Sequence, residues 1–225
     1  MIEIHAYHGW GFNGKFWDSL KAEFPASILF KAANRGYFEK PYDPIFSSES
    51  SIKIIFTHSY GLHWCPKEKI GSCDYLVIFN GFNEFLSEDR FERKKELKVL
   101  NKMHVQFQTN SYAVLNAFYD NCFYPYSPII SSPKIIDKSL LESDLIDLSK
   151  TNFAFPEAFN IQKIVISGLE DQIIAKQKTK ELIEHLKVTE SMEYQGYGHA
   201  LPITNSSNCW SYLSKVLVST MVGIS

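Results

Sequence analysis

The sequence predicts an α/β fold: a mostly parallel central sheet flanked by helices, with a small helical cap inserted before the strand that leads to Gly168. Three observations predict it. Short apolar, β-branched runs alternate with helix-spaced segments over the first 80 residues and again near the end, the pattern of parallel strands joined by right-handed crossovers. Each unusual loop directly follows one of those runs, so all of them fall on the carboxyl edge of the sheet, where ligands of such folds sit. The stretch 82–159 has no strong strand signal, which marks it as the cap within a single domain spanning 1–225.

Ile2 to Tyr7 reads as the first strand and runs into the loop His8-Gly9-Trp10-Gly11. Phe16, Trp17, Leu20 and Phe24 then recur at helical spacing, predicting a helix over Asn13–Phe24. Ser27 to Lys31 is the second strand, followed by a Pro- and Ser-rich loop from Pro41 to Ser51. Ile52, Ile54, Ile55 and Phe56 form a buried strand that breaks at Thr57-His58-Ser59-Tyr60-Gly61, and Pro66 limits the short helical piece Leu62–Cys65. Asp74 to Phe79 is a further continuous strand. The middle reads as helices over Glu88–Met103, Ser111–Asn121 and Asp137–Leu148, with Phe123, Tyr124 and Tyr126 in an aromatic loop. Strand character returns at Gln162–Ser167, then come Gly168-Leu169-Glu170-Asp171, a helix over Ala175–Leu186, a strand over Ser191–Tyr194, Gly196-Tyr197-Gly198-His199, and a closing helix from about Asn208 to Val222.

Composition narrows the function classes. A net charge of −2 argues against a general nucleic-acid or membrane-surface binder, and 45% hydrophobic residues argue against disorder. No apolar run approaches the ~20 residues that span a bilayer. Met1-Ile2-Glu3-Ile4-His5 shows neither a basic n-region nor a cleavage site, so a cytoplasmic protein is expected. The four cysteines, Cys65, Cys73, Cys122 and Cys209, lack zinc-finger or C-x-x-C spacing and read as reduced core thiols.

Ser59, Asp171 and His199 carry the chemistry. A serine hydroxyl is a poor nucleophile until a base takes its proton, and the base needs a carboxylate to fix its tautomer and stabilise the imidazolium. Each residue also has an ordinary reading. Ser59 could cap a helix, Asp171 could cap the helix beginning near Ala175 with Glu170 as the rival acid, and His199 could be a surface loop residue. His58 adjoins the serine and is the rival base. His5, His8, His63, His104 and His185 read as structural or exposed. For the oxyanion of acyl transfer, the donors expected are the backbone N–H of Tyr60, which follows the serine, and that of Trp10. Such a triad needs neither metal nor organic cofactor.

Thr57-His58-Ser59-Tyr60-Gly61 resembles the G-x-S-x-G nucleophile elbow of α/β-hydrolases, with Thr57 in place of the first glycine, and the chain order Ser…Asp…His is the order those enzymes use. More closely, His8-Gly9-Trp10-Gly11-Phe12-Asn13 with Phe16-Trp17, together with the elbow, Gly168-Leu169-Glu170-Asp171 and Gly198-His199-Ala200, resembles the pimeloyl-[acyl-carrier protein] methyl ester esterases of biotin synthesis. The similarity covers both ends of the chain and leaves the middle third unmatched. It implies Ser59 as nucleophile, His199 as base, Asp171 as orienting acid and Trp10 and Tyr60 as the oxyanion hole. It also implies a long-chain methyl ester carried by an acidic acyl-carrier protein. Phe118, Tyr119, Phe123, Tyr124 and Tyr126 are then candidates to line an acyl channel, with Phe118, Phe123 and Tyr124 the substrate-binding choice. Arg90, Arg93, Lys94 and Lys98, in a helix where Arg90, Lys94, Lys98 and Lys102 recur every four residues, are candidates to meet the carrier; a solvated helix face is the ordinary reading. The same triad would serve a thioesterase, or a lyase or C–C hydrolase of a small metabolite. A non-catalytic binding protein on this scaffold is the other alternative, supported by Thr57 and opposed by the complete triad.

Overall fold

The computed structural model describes residues 1–155 and 161–222, with side chains described through residue 217. Six strands form one sheet: β1 (Ile2–Tyr7), β2 (Ile28–Ala32), β3 (Ile52–His58), β4 (Tyr75–Phe79), β5 (Gln162–Gly168) and β6 (Glu190–Tyr194), in the order β2-β1-β3-β4-β5-β6. Every pairing is parallel, so the sheet is all-parallel where the sequence predicts mostly parallel. The central strand β4 is a continuous apolar run because both its faces are covered, whereas the edge strand β6 is exposed or half-buried throughout. Along β3, Ile54 and Phe56 enter the core on one side and Ile55 the core on the other, the period-two alternation of a pleated strand.

The connecting helices differ from expectation mainly in length. The helix predicted over Asn13–Phe24 is a 3₁₀ turn, Gly14–Trp17, capped by the Asn13 side chain, followed by the single-turn α1 (Asp18–Lys21). Phe16, Trp17 and Leu20 are nonetheless buried, as the spacing predicts. After α2 (Gly61–Trp64), Pro66 stops that helix and starts a second, α3 (Lys67–Gly71), which the sequence reading leaves out.

Between β4 and β5 lie α4 (Arg90–Thr109), α5 (Ser111–Phe123) and α6 (Lys138–Asp147), ending in a 3₁₀ turn at Leu148–Lys150. α4 runs six residues beyond Met103, held at its start by the Asp89 carboxylate on the Phe91 and Glu92 amides. The apolar side chains of this stretch merge with one core of the main body: Leu100, Phe107, Leu115, Phe118, Leu141 and Leu145 join Trp10, Phe12 and Phe16. The end of the predicted cap, 156–159, lies outside the described residues. After β5 come α7 (Lys176–Leu186), α8 (Leu201–Thr204) and α9 (Ser206–Val222). Among the described residues no helix is long and apolar enough to cross a membrane.

The opposite side of β1 carries a buried ionic knot. Glu3 accepts from Lys31 Nζ at 2.7 Å, His5 Nε2 at 2.9 Å, the Ser47 amide at 2.8 Å and the Ser50 hydroxyl, pinning the 41–51 loop to the sheet. Burial alone would raise the Glu3 carboxyl, but the bonds from Lys31, Ser50, Ser47 and His5 outweigh it and bring it down to about 2 from an ordinary 4.5. A depressed carboxyl contributes stability above its unfolded pKa and loses it as pH falls through the folded one. Unfolding free energy should therefore drop by up to about 3 kcal/mol between pH 4.5 and 2, and Glu3→Gln should flatten that part of a denaturant-midpoint against pH curve.

Candidate active site

The parallel register brings the key loops to one edge. Tyr7 pairs with Thr57, His58 with Phe79, Phe79 with Ile166 and Gly168 with Tyr194, so β1, β3, β4, β5 and β6 all release their chains at the same level. Ser59 is the first residue past β3 and sits at φ 53, left-handed backbone that a non-glycine residue adopts at a cost. Its amide donates to the Phe79 carbonyl at 3.0 Å, which ties the turn to β4. The turn lifts Ser59 out of the sheet and leaves it on the wall of a cavity of about 920 Å³.

The close approaches at this turn explain its glycines and its threonine. A Cβ on Gly61 would lie 2.2 Å from the Tyr7 carbonyl oxygen, and one on Gly9 would lie 2.8 Å from His58 Nδ1 and 3.0 Å from Ser59 Cβ. On the strand side, Thr57 is accommodated within β3, fully buried. Its hydroxyl, however, has no partner among the described residues. Thr57→Val keeps the shape and removes an unsatisfied buried oxygen, so it should raise the melting temperature by a few degrees, about 1 kcal/mol. A lower melting temperature would show that the hydroxyl has a partner.

Asp171 and His199 are in contact. His199 Nδ1 lies 2.8 Å from Asp171 Oδ2, so this nitrogen carries the proton and donates it, leaving the lone pair on Nε2. That Nε2 is buried and has no hydrogen-bond partner among the described residues; the Ser59 hydroxyl is not bonded to it in this arrangement. Asp171 Oδ1 accepts from the amides of Ile173 at 2.7 Å and Ile174 at 2.8 Å. Asp171 therefore does not cap α7, whose N-cap Ala175 has no side-chain bond; one of its oxygens closes the loop before that helix, while the other faces the imidazole. Among the described residues no hydrogen bond links the Glu170 carboxylate to His199.

His58 takes a different part from the one its place beside Ser59 suggests. Its Nε2 donates to the His199 carbonyl at 3.0 Å and its ring stacks on Phe16. Burial, and then the neighbouring His199, push its pKa well below 6.5, so it stays neutral. It braces the loop of His199. The other side of that loop is held by α5: the Ala200 amide donates to the Cys122 carbonyl at 2.8 Å, and Gly198 packs so tightly on Tyr124 that a Cβ would meet its carbonyl oxygen at 2.1 Å. Burial likewise lowers His8 and His63 to about 4. The Nδ1 of His8 donates to the Gly9 carbonyl and its Nε2 accepts the Arg35 amide; His63 Nε2 donates to the Phe82 carbonyl.

Trp10 and Tyr60 flank Ser59 on the cavity wall. Among the described residues neither backbone amide is matched with a protein acceptor, the state a preorganised oxyanion donor requires before substrate arrives. Their surroundings are fixed by contacts the sequence does not disclose. Trp10 Nε1 donates to the Leu141 carbonyl of α6 at 2.8 Å, and the Tyr119 hydroxyl donates to the Gly11 carbonyl at 2.6 Å. Asp144, also on α6, is gripped by Arg35 through two bonds of 2.9 Å and by the Tyr37 hydroxyl at 2.6 Å. Arg35 and Tyr37 lie in the loop after β2, where only the surrounding glycine and aromatic residues give a hint. A bidentate pair of this kind fixes orientation as well as distance, so α6 is locked to the loop after β2, and through Trp10 Nε1 to the loop after β1.

The cavity runs from Ser59 between α4 and α5, with mostly apolar walls that include Phe85, Leu100, Val114, Phe118 and Leu145. Of the residues expected to line an acyl channel, Phe118 lies on the wall of this cavity. Phe123 and Tyr124 do not: Phe123 faces into the core beneath α5, and Tyr124, just past the helix end, is 48% exposed. Arg90, Lys94 and Lys98 stand exposed on α4, with no carboxylate paired to them among the described residues, whereas Arg93 is partly buried with Nη1 on the Ser87 carbonyl at 3.4 Å. Val99, Met103 and Gln106 of the same helix line the cavity. Among the described residues no three His, Cys, Asp or Glu side chains gather as metal ligands would.

No protein-family model matches the chain, and no curated protein matches its sequence. Solved structures do match over nearly the whole length. An esterase from Exiguobacterium antarcticum superposes with a TM-score of 0.71 at 13% identity, covering 98% of this chain and 91% of that one. A lipase-esterase related protein from Clostridium acetobutylicum gives 0.70 at 13% identity, covering 95% and 93%. A bromoperoxidase from Bacillus anthracis gives 0.70 at 16% identity, covering 96% and 91%. At such identities the likeness establishes the α/β-hydrolase fold, and the mixture of names shows that the fold leaves the reaction open.

Proposed function

We propose that this α/β-hydrolase-fold chain is a serine carboxylesterase. The observation that carries the reading is the His199–Asp171 pair, whose unmatched imidazole nitrogen stands at the same sheet edge as a serine on a left-handed turn. In the reaction Ser59 gives its proton to His199 Nε2 and attacks the ester carbonyl. The tetrahedral oxyanion takes the amides of Trp10 and Tyr60, which would contribute roughly 3–4 kcal/mol each. His199 protonates the departing alcohol, and a water activated by the same nitrogen releases the acid. Asp171 keeps the imidazole in the required tautomer and stabilises its charged form.

The substrate best supported is the methyl ester of a pimeloyl chain on acyl-carrier protein, as in biotin synthesis. A cavity of about 920 Å³ with largely apolar walls suits a medium-length acyl chain. The exposed cations Arg90, Lys94 and Lys98 lie on the helix whose other residues line that cavity, where they would steer an acidic carrier towards the opening. The test is incubation with methyl pimeloyl carrier protein, following the carrier by mass spectrometry. Conversion of the methyl ester to the free acid is expected. An unchanged carrier, alongside turnover of simple esters, would remove this substrate and leave the esterase.

A further inference from the structure

Asn80 is the residue at the sheet edge that the mechanism above does not use. It follows β4 directly, is almost fully buried, and stands at φ 47, a conformation asparagine tolerates better than most residues. Its amide donates to the Ile166 carbonyl at 2.9 Å, tying the turn to β5. Its side-chain Nδ2 lies 2.6 Å from Asp171 Oδ2 and 3.4 Å from the Gly198 carbonyl, while Oδ1 is buried without a partner among the described residues. The amide cannot be turned over: Oδ1 would then face a carboxylate and a carbonyl, neither of which can donate.

Asp171 thus has four donors for two oxygens: the Ile173 and Ile174 amides on Oδ1, and His199 Nδ1 and Asn80 Nδ2 on Oδ2. The oxygen that balances the His199 proton is the one Asn80 shares. We infer that Asn80 is a positioning residue, which aims Oδ2 of Asp171 at His199 and, by taking up part of its charge, sets how firmly His199 holds a proton. The inference rests on reading Asp171 and His199 as acid and base. Of the groups around the pair, His58, whose ring centre is 4.6 Å from that of His199, is held neutral by burial and by His199, and the Cys122 thiol from α5 is pushed up by burial and by Asp171; Lys178 of α7, which shares the cavity wall with Asp171, is paired with Glu181 at 3.3 Å.

Asn80→Gly removes the donor without straining a positive φ. Without it the carboxylate becomes a stronger acceptor for the imidazole proton, so the pKa of His199, followed by NMR titration of the intact protein, should rise by about one unit. Against any ester the enzyme accepts, kcat should fall about tenfold with KM within twofold, and the acid limb of the pH–rate profile should move up with the titration. A lower melting temperature with the titration and kcat both unmoved would overturn the inference, because a residue that only fills space would do that. The titration needs no substrate: if wild type hydrolyses no ester the function proposed above fails, and NMR still decides the role of Asn80.

Discussion

Ser59→Ala should lower kcat on a methyl ester by about four to six orders of magnitude while leaving the melting temperature within a few degrees of wild type. The reaction needs a nucleophilic oxygen on the cavity wall at the level of the imidazole, and the β3 turn offers the Ser59 hydroxyl there. Alanine meets the same backbone cost at φ 53 as serine does, and the serine side chain makes no hydrogen bond among the described residues that alanine would lose, so the fold should not suffer. Residual turnover would come from the cavity and the free amides of Trp10 and Tyr60 alone. A loss of less than tenfold would mean that another group attacks the substrate.

Gly61→Ala should be strongly destabilising. Its Cβ would stand 2.2 Å from the Tyr7 carbonyl oxygen and 3.0 Å from that of His8. Both obstacles are backbone, one of them at the end of a central strand, so no side chain can swing aside. Relief requires β1 and β3 to separate at the edge where the site is built. A cost above about 4 kcal/mol is expected, seen as loss of soluble protein or a fall of roughly 10 °C or more in melting temperature. Gly196→Ala is the comparison. Gly196 also has positive φ, at 81, but nothing lies within 4 Å of its Cβ position, so only the backbone cost of about 1 kcal/mol applies.

What the sequence reveals and what it hides follow from the range of the interactions involved. The central strands β3, β4 and β5 are legible because a buried parallel strand is written locally, as a run of β-branched and aromatic residues, and the loops at the carboxyl ends of the sheet follow from topology alone. That is why Asp171 and His199, 28 residues apart, can be placed together from sequence. Pairings without a local signature stay hidden. Arg35 and Asp144 are 109 residues apart, and neither shows in its own neighbourhood that it will be buried against the other. Asn80 stands in an Asn-Gly step, which reads as an ordinary turn until β5 places Asp171 beside it. The opposite error occurs at Phe123 and Tyr124, where aromatic composition suggests a channel; helical phase turns Phe123 into the core, and the end of α5 leaves Tyr124 outside. Thr57 marks a third kind of gap. Close approaches at this elbow fall on Gly61 and Gly9, and the threonine is accommodated near the end of β3.

The most direct test of the central claim is reaction of the folded protein with a fluorophosphonate, read by intact mass and peptide mapping. A single adduct on Ser59 is expected, absent from Ser59→Ala and strongly slowed in His199→Ala. No adduct on wild type, or one on another residue that persists in Ser59→Ala, would contradict it.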